Sequence, residues 1–377
     1  MSTTSTTVEN PLKQLGRFGQ SVWLDYIRRN LMTSGDLRKM VEQDGLGGMT
    51  SNPAIFEKAI AGGEEYADQV NALRKDASLD AKAIFEKLAI NDIQDAADVL
   101  RTVYTASHHR DGYVSLEVAP TLAHETQATI EEARRLWAAV NRPNLMIKIP
   151  GTPEGIPAVE TALTEGINVN VTLLFSQDVY EKVALAYVRA IEARAAKGLD
   201  VSGIASVASF FVSRIDSSVD ALLDKKLADA DASQKPVLES LRSKIAIANA
   251  KLAYQRYEKI FSGEKWHALK AKGAQTQRVL WASTSTKSPK LRDVLYVEEL
   301  IGADTVNTIP PATYDAFRDH GQPRASLKED LAGAQKIMTD LAGVGISMDK
   351  VTDELTAQGV KLFEDAFVKL LAVIRPS

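Results

Sequence analysis

Eight short, β-branched apolar runs recur along this chain, separated by longer stretches with helical spacing. The runs are Ser21–Ile27, Leu46–Asn52, Gly112–Val118, Asn144–Pro150, Ile167–Phe175, Ile204–Val212, Arg278–Thr286 and Ala303–Pro310. Several are almost unbroken in apolar residues, as strands buried on both faces require. Between them, Ile93, Ala97, Leu100 and Tyr104 form one helical stripe, and Val360, Phe363, Phe367, Leu370 and Ile374 form another. Strands alternating with helices imply βαβ units and a parallel sheet. A closed (β/α)8 barrel and a doubly wound open sheet both satisfy that pattern. The strand count favours the barrel, and no Gly-x-Gly-x-x-Gly follows the first run. No Walker A sequence is present, and Gly45-Leu46-Gly47-Gly48 reads as a turn ahead of the second run. The expected class is therefore α/β, a (β/α)8 TIM barrel with additional helices in the loops and at the C-terminus. Of the two long connections, Pro53–Asp111 has room for two or three helices and Asp216–Gln277 for two. Ser326 and Glu329 are spaced as a capping box for the helix that follows.

A chain of 377 residues would often hold two or three domains. No Pro/Gly/Ser linker and no internal repeat divides it, so one domain over 11–377 is expected. Residues 1–10, rich in Ser and Thr without a basic start or an apolar segment, read as a disordered leader. Lys and Arg total 45 against 49 Asp and Glu, a balance that argues against a nucleic-acid partner. No apolar run approaches the roughly 20 residues a bilayer span needs, so no membrane partner is expected. The absence of cysteine excludes disulfide scaffolds, thiolate metal sites and cysteine nucleophiles, and is compatible with a cytoplasmic setting. The five histidines, His108, His109, His124, His267 and His320, are read as surface or helical residues without a metal.

Catalytic groups of such barrels lie at the carboxyl ends of the strands. Polar residues late in the apolar runs are therefore the informative ones: Asp25, Thr50, Ser51, Asn52, Glu117, Lys148, Asn170, Thr172, Ser209, Arg214, Ser283, Ser285, Lys287, Asn307 and Thr308. A buried charge costs several kcal/mol unless paired, so Asp25, Glu117 and Lys148 inside hydrophobic strands point to one shared polar centre. A purely structural ion-pair network is the alternative. A buried lysine that becomes a neutral amine can attack a carbonyl and form a Schiff base. Desolvation favours the neutral amine while a nearby carboxylate opposes it, so burial has to dominate. Glu117 with a water could shuttle protons for carbinolamine dehydration, and Asp25 could take a hydroxyl proton as a carbon–carbon bond breaks. One lysine with two carboxylates is the equipment of a class I aldol reaction. Its electron sink is the iminium, so no metal or organic cofactor is required.

At these positions the chain resembles the transaldolase family, in its longer, Schiff-base-forming bacterial type. The matching segments are Thr50–Phe56 (TSNPAIF), Val114–Pro120 (VSLEVAP), Leu145–Ile156 (LMIKIPGTPEGI), Gly166–Ser176 (GINVNVTLLFS), Ser209–Ser217 (SFFVSRIDS) and Leu280–Pro289 (LWASTSTKSP). The resemblance implies a (β/α)8 barrel and a reaction of the non-oxidative pentose phosphate pathway. In it a dihydroxyacetone unit passes from sedoheptulose 7-phosphate to glyceraldehyde 3-phosphate, giving erythrose 4-phosphate and fructose 6-phosphate. It further implies Lys148 as the Schiff-base residue, Asp25 as acid/base, and Glu117 with Thr172 as the proton relay. Asn52, Asn170 and Ser209 are implied to hold the three-carbon fragment, Arg214 the phosphate, and Ser283 a further substrate contact. Sugar phosphates would be the only partners, with the chain a monomer or homodimer. The family's arginine after an Ala-Ser pair is missing here: Ala282-Ser283 is followed by Thr284-Ser285-Thr286-Lys287, and Lys287 is the replacement cation. Other readings stay open. Asn52 could be a turn residue, Arg214 could pair with Asp216, and Lys287 could be a solvated loop lysine. Trp23 and Trp281 are expected to pack in the core. The competing activity is a fructose 6-phosphate aldolase-type lyase on the same barrel.

Overall fold

The computed structural model describes residues 9–375. The eight runs form strands β1 (Gln20–Asp25), β2 (Gly48–Thr50), β3 (Tyr113–Glu117), β4 (Leu145–Pro150), β5 (Val169–Leu174), β6 (Ser206–Phe211), β7 (Arg278–Ala282) and β8 (Thr305–Ile309). Each pairs in parallel with the next, and β8 pairs with β1, closing the barrel. The open-sheet alternative is thereby set aside. The strands are shorter than the runs that announced them. Ser51, Asn52 and Ser283–Lys287 lie past the last sheet hydrogen bonds, on loops at the carboxyl end.

The amino-terminal end is closed by a polar lock. Arg278 at the start of β7 is buried and donates to Ser21 Oγ (2.6 Å), the Arg110 carbonyl (2.5 Å) and Asp111 Oδ1 (2.9 Å). Asp111 also accepts from Ser21 Oγ (2.5 Å) and from Trp23 Nε1 (2.9 Å). The Trp23 ring fills the barrel opposite Gly48, its register partner in β2. A Cβ on Gly48 would stand 2.6 Å from that ring, so only glycine fits there. Trp23 and Trp281 are both fully buried, as packing residues should be.

The Pro53–Asp111 connection holds three helices, Pro53–Ala61, Ala67–Leu73 and Ala81–Ala106, and the last buries the Ile93–Ala97–Leu100–Tyr104 stripe. The Asp216–Gln277 connection departs from the expected pair. Helix Ser213–Asp229 already covers its start, and Lys235–Leu241, Ile245–Phe261 and Glu264–Lys270 follow. Two of these are seven residues long, too short for a periodic signal. The Ser326 capping box is not formed either. Ser326 Oγ instead donates to the Glu298 carbonyl (2.6 Å), and Asp330 caps Leu331–Gly343 through the Gly333 amide (3.0 Å). Of the expected leader, residues 1–8 lie outside the described residues. Asn10 is fixed, capping Pro11–Leu15 and donating to Asp44 Oδ1 (2.7 Å). The C-terminal helix, Met348–Ile374, buries its aromatic stripe against the barrel's helices. Among the described residues no helix is long and apolar enough to cross a membrane.

Truncating Asp111 to alanine would strand the buried Arg278 charge. We expect a loss of about 3–5 kcal/mol in urea unfolding, with little change in the denaturant slope. A loss within experimental error would show that the lock is not what holds this end closed.

Candidate active site

The carboxyl ends of the strands surround a cavity of about 320 Å³. Asp25, Thr50, Asn52, Lys148, Thr172, Ser209, Phe211, Arg214, Ser283, Ser285, Lys287, Thr308 and Phe363 all contribute to its wall. Residues from seven loops or strands, far apart in sequence, thus meet as the pattern of strand-end polarity requires.

Lys148 is buried at 4% exposure, in register with Glu117 on one side and Asn170 on the other. Its Nζ donates to the Ser51 carbonyl (3.0 Å), lies 3.4 Å from Glu117 Oε2 and stands 5.6 Å from the centre of the Phe363 ring. Burial pushes the Glu117 carboxyl up to about 7, against the opposing pull of the Lys148 charge. Glu117 does not line the large cavity. It borders a separate chamber of about 20 Å³, enough for one water, between Phe56, Phe85, Leu136 and Phe367. Glu117 Oε2 and Thr172 Oγ1 are buried and lack a hydrogen-bond partner among the described residues, which is unusual for native polar atoms.

Asp25 ends β1 and accepts from Thr50 Oγ1 (2.7 Å), which in turn shares a 2.6 Å hydrogen bond with Thr308 Oγ1. Burial holds the Asp25 carboxyl above the usual range. Lys148, the Thr50 hydroxyl, Arg214 and Lys287 work against that shift. Ser209 donates to Asn170 Oδ1 (2.6 Å), and Asn170 Nδ2 donates to Ser115 Oγ (3.0 Å). Asn170 is thus tied to both serines at the level of Lys148, its register partner. Asn52 Oδ1 caps helix Pro53–Ala61 at the Ile55 amide (2.9 Å), as the turn reading has it, and the residue also lines the cavity.

The Arg214 guanidinium lies against the Phe211 ring (5.4 Å to its centre) and has no carboxylate within ion-pair range among the described residues. The partner considered for it, Asp216, is held by Tyr296 Oη (2.8 Å) and the Ala246 amide (2.8 Å). Lys287 is in the same wall and donates to Ser285 Oγ (2.7 Å). Burial lowers the pKa of both cations, and the Arg214 charge lowers that of Lys287 further. Two partly desolvated cations with few anionic neighbours are a site for a dianion. Ser283 shares a 2.9 Å hydrogen bond with Ser213 and adopts φ 56°, and Leu173, next to Thr172, adopts φ 60° at a register shift between β5 and β6. Such left-handed residues cost about 1–3 kcal/mol each and tend to cluster at functional sites.

Sequence reasoning missed Lys58 and Phe363 in this wall. Both stand on helices, where nothing marks a residue as facing a strand end; only the Phe363–Phe367 spacing hinted at a shared face. None of the histidines lines the cavity. His124 pairs with Glu154 (3.1 Å) and His320 with Asp293 (2.9 Å). Among the described residues no group of three or more His, Cys, Asp or Glu side chains is placed to hold a metal ion.

The comparison with known families finds a match to Transaldolase/Fructose-6-phosphate aldolase over residues 22–374. The chain is 50% identical over 367 residues to "Transaldolase" of Trichodesmium erythraeum, covering 97% of this chain and 96% of that one. It is 51% identical over 366 residues to "Transaldolase 2" of Nostoc punctiforme, covering 96% of each. It is 48% identical over 368 residues to "Transaldolase" of Frankia alni, covering 97% of each. A buried lysine beside a glutamate, sharing a cavity with Asp25 in a closed eight-stranded barrel, together with these likenesses, identifies the chain as an enzyme of the transaldolase/fructose-6-phosphate aldolase family.

Proposed function

We propose that this enzyme is a transaldolase, moving a dihydroxyacetone unit from a ketose phosphate to an aldose phosphate through a Schiff base on Lys148. The single observation that carries the assignment of roles is the placement of Lys148. Its amine is buried, touches Glu117, and opens onto a cavity with Asp25 in its wall and Arg214 and Lys287 as cations. Full-length relatives whose names read transaldolase favour transfer over simple cleavage. Sedoheptulose 7-phosphate and glyceraldehyde 3-phosphate are the substrates we assign, in a cytosolic setting.

In this reading the neutral Lys148 amine adds to the ketose carbonyl. Glu117 passes protons by way of a water to and from the carbinolamine, and the Thr172 hydroxyl orients that water. Loss of water leaves the iminium. Asp25 then takes the C4 hydroxyl proton as the C3–C4 bond breaks, and the electron pair of that bond enters the iminium to give an enamine. The aldose leaves and an acceptor aldehyde is attacked in reverse order. Asn52, Asn170, Ser209 and Ser283 hold hydroxyls of the three-carbon unit, and Arg214 with Lys287 binds the phosphate. Phosphate binding remote from the reacting carbons can align them, so its energy appears in the rate as well as the affinity.

Three measurements test these roles. Borohydride added with fructose 6-phosphate should fix a three-carbon mass on Lys148, and Lys148→Ala should abolish both the adduct and turnover while keeping its circular dichroism. An adduct elsewhere would reassign the nucleophile, and dihydroxyacetone release at full rate without an acceptor would make the enzyme a lyase. Arg214→Ala should raise KM for the sugar phosphate by about tenfold or more; an unchanged KM would move the phosphate site. Glu117 is protonated below pH about 7 and ionised above it. Dehydration needs its proton, so the single-turnover rate of adduct formation should fall as pH rises through that value. Glu117→Gln should be slower and flat over the same range; retention of the fall would remove Glu117 from the relay.

A further inference from the structure

The C-terminal helix, Met348–Ile374, crosses the carboxyl end of the barrel. It packs on helix Pro53–Ala61 after β2, the Pro120–Leu122 turn after β3, β5 itself, and helix Ser213–Asp229 after β6. It is seated on β5 through one close approach: the side chain of Leu173, the left-handed residue, comes within 2.8 Å of where a Cβ on Gly359 would be. One helical turn further, Phe363 reaches the large cavity and lies over Lys148 Nζ at 5.6 Å from its ring centre. One more turn along, Phe367 walls the chamber behind Glu117 and meets the Phe85 ring edge-on at 5.6 Å. Residues four apart share a helix face, so a single apolar face roofs both sides of the Lys148–Glu117 pair.

We propose that Phe363 is a positioning residue that keeps water from the covalent intermediate and so decides between transfer and release. The inference rests on Lys148 being the Schiff-base residue. After the C3–C4 bond breaks, the bound enamine has two fates. It can attack the acceptor aldehyde. Or its carbon can take a proton, with water then adding to the iminium carbon, the C–N bond breaking and the amine regaining its proton, so that dihydroxyacetone leaves. The second fate consumes one water. An aromatic ring over the amine holds that water off and adds no group able to donate a proton. It also favours the charged iminium through its π face.

The experiment compares acceptor-free release of dihydroxyacetone with transfer to glyceraldehyde 3-phosphate in the full-length enzyme. Phe363→Ala should raise the release-to-transfer ratio by about tenfold, and Phe363→Leu, which keeps most of the volume, should return it to within about threefold of the parent. Should Phe363→Ala fail to fold, Phe363→Val carries the same comparison. Borohydride trapping on Lys148 is run beside each variant. Variants that trap normally and keep the parental ratio would overturn the role of Phe363 while leaving the Schiff base in place. Absence of trapping in the parent enzyme would instead remove the reading on which the inference rests. A fall in transfer and release by one common factor, with the ratio unchanged, would also overturn it, since that is what a merely structural phenylalanine would give.

Discussion

A lysine and a glutamate of opposite charge, buried side by side on neighbouring strands, set the terms for everything else at the carboxyl end of this barrel. Each charge alone would cost several kcal/mol in that setting, and the pair remains acceptable only while the two groups stay within reach of one another. Adjacent parallel strands supply that fixed spacing, since Glu117 and Lys148 are register partners. The cost is not fully offset: Glu117 keeps an oxygen without a hydrogen-bond partner and is held near neutrality in its titration. A group so placed can take or give a proton at physiological pH, which is the property proton relay requires.

The polar groups at the two ends of the barrel differ in what they face. At the amino end, Arg278 and Asp111 satisfy each other and their neighbours, and Trp23 packs against a glycine with no room left over. At the carboxyl end, among the described residues, Thr172 Oγ1 and Glu117 Oε2 have no hydrogen-bond partner, and Arg214 and Lys287 face the cavity without a carboxylate in ion-pair range.

Much of this was legible in the residues because β-strands buried on both faces leave little choice of composition. A charge inside VWLDYI, VSLEV or LMIKIP has to be explained, and that alone singles out Asp25, Glu117 and Lys148 as candidates for one polar centre. What was not legible came from elements whose orientation only packing sets. Asn170 follows the same strand pattern as Thr172, but its bonds to Ser115 and Ser209, 55 and 39 positions away, could not be read from spacing. Lys58 and Phe363 are ordinary helical residues until the helices that carry them are laid against the rim. The short helices after Asp229 and the Asp330 cap escaped because seven residues carry too few turns to show a period, and because Ser326 was drawn instead to the Glu298 carbonyl.

Barrel closure bears on the order in which the site can be assembled. Lys148 and Glu117 come from consecutive strands and can meet as soon as β3 and β4 pair. The hydrogen bond between Thr50 and Thr308, which sits beside Asp25, joins residues 258 positions apart. Contacts of such long separation form late, because the loop between them must first be ordered. A chain still being synthesised could therefore hold its amine and carboxylate together while Asp25 lacks its seat and the roof from the last helix is unmade. The wall of the cavity around Asp25 is therefore completed only when the last strand closes the barrel.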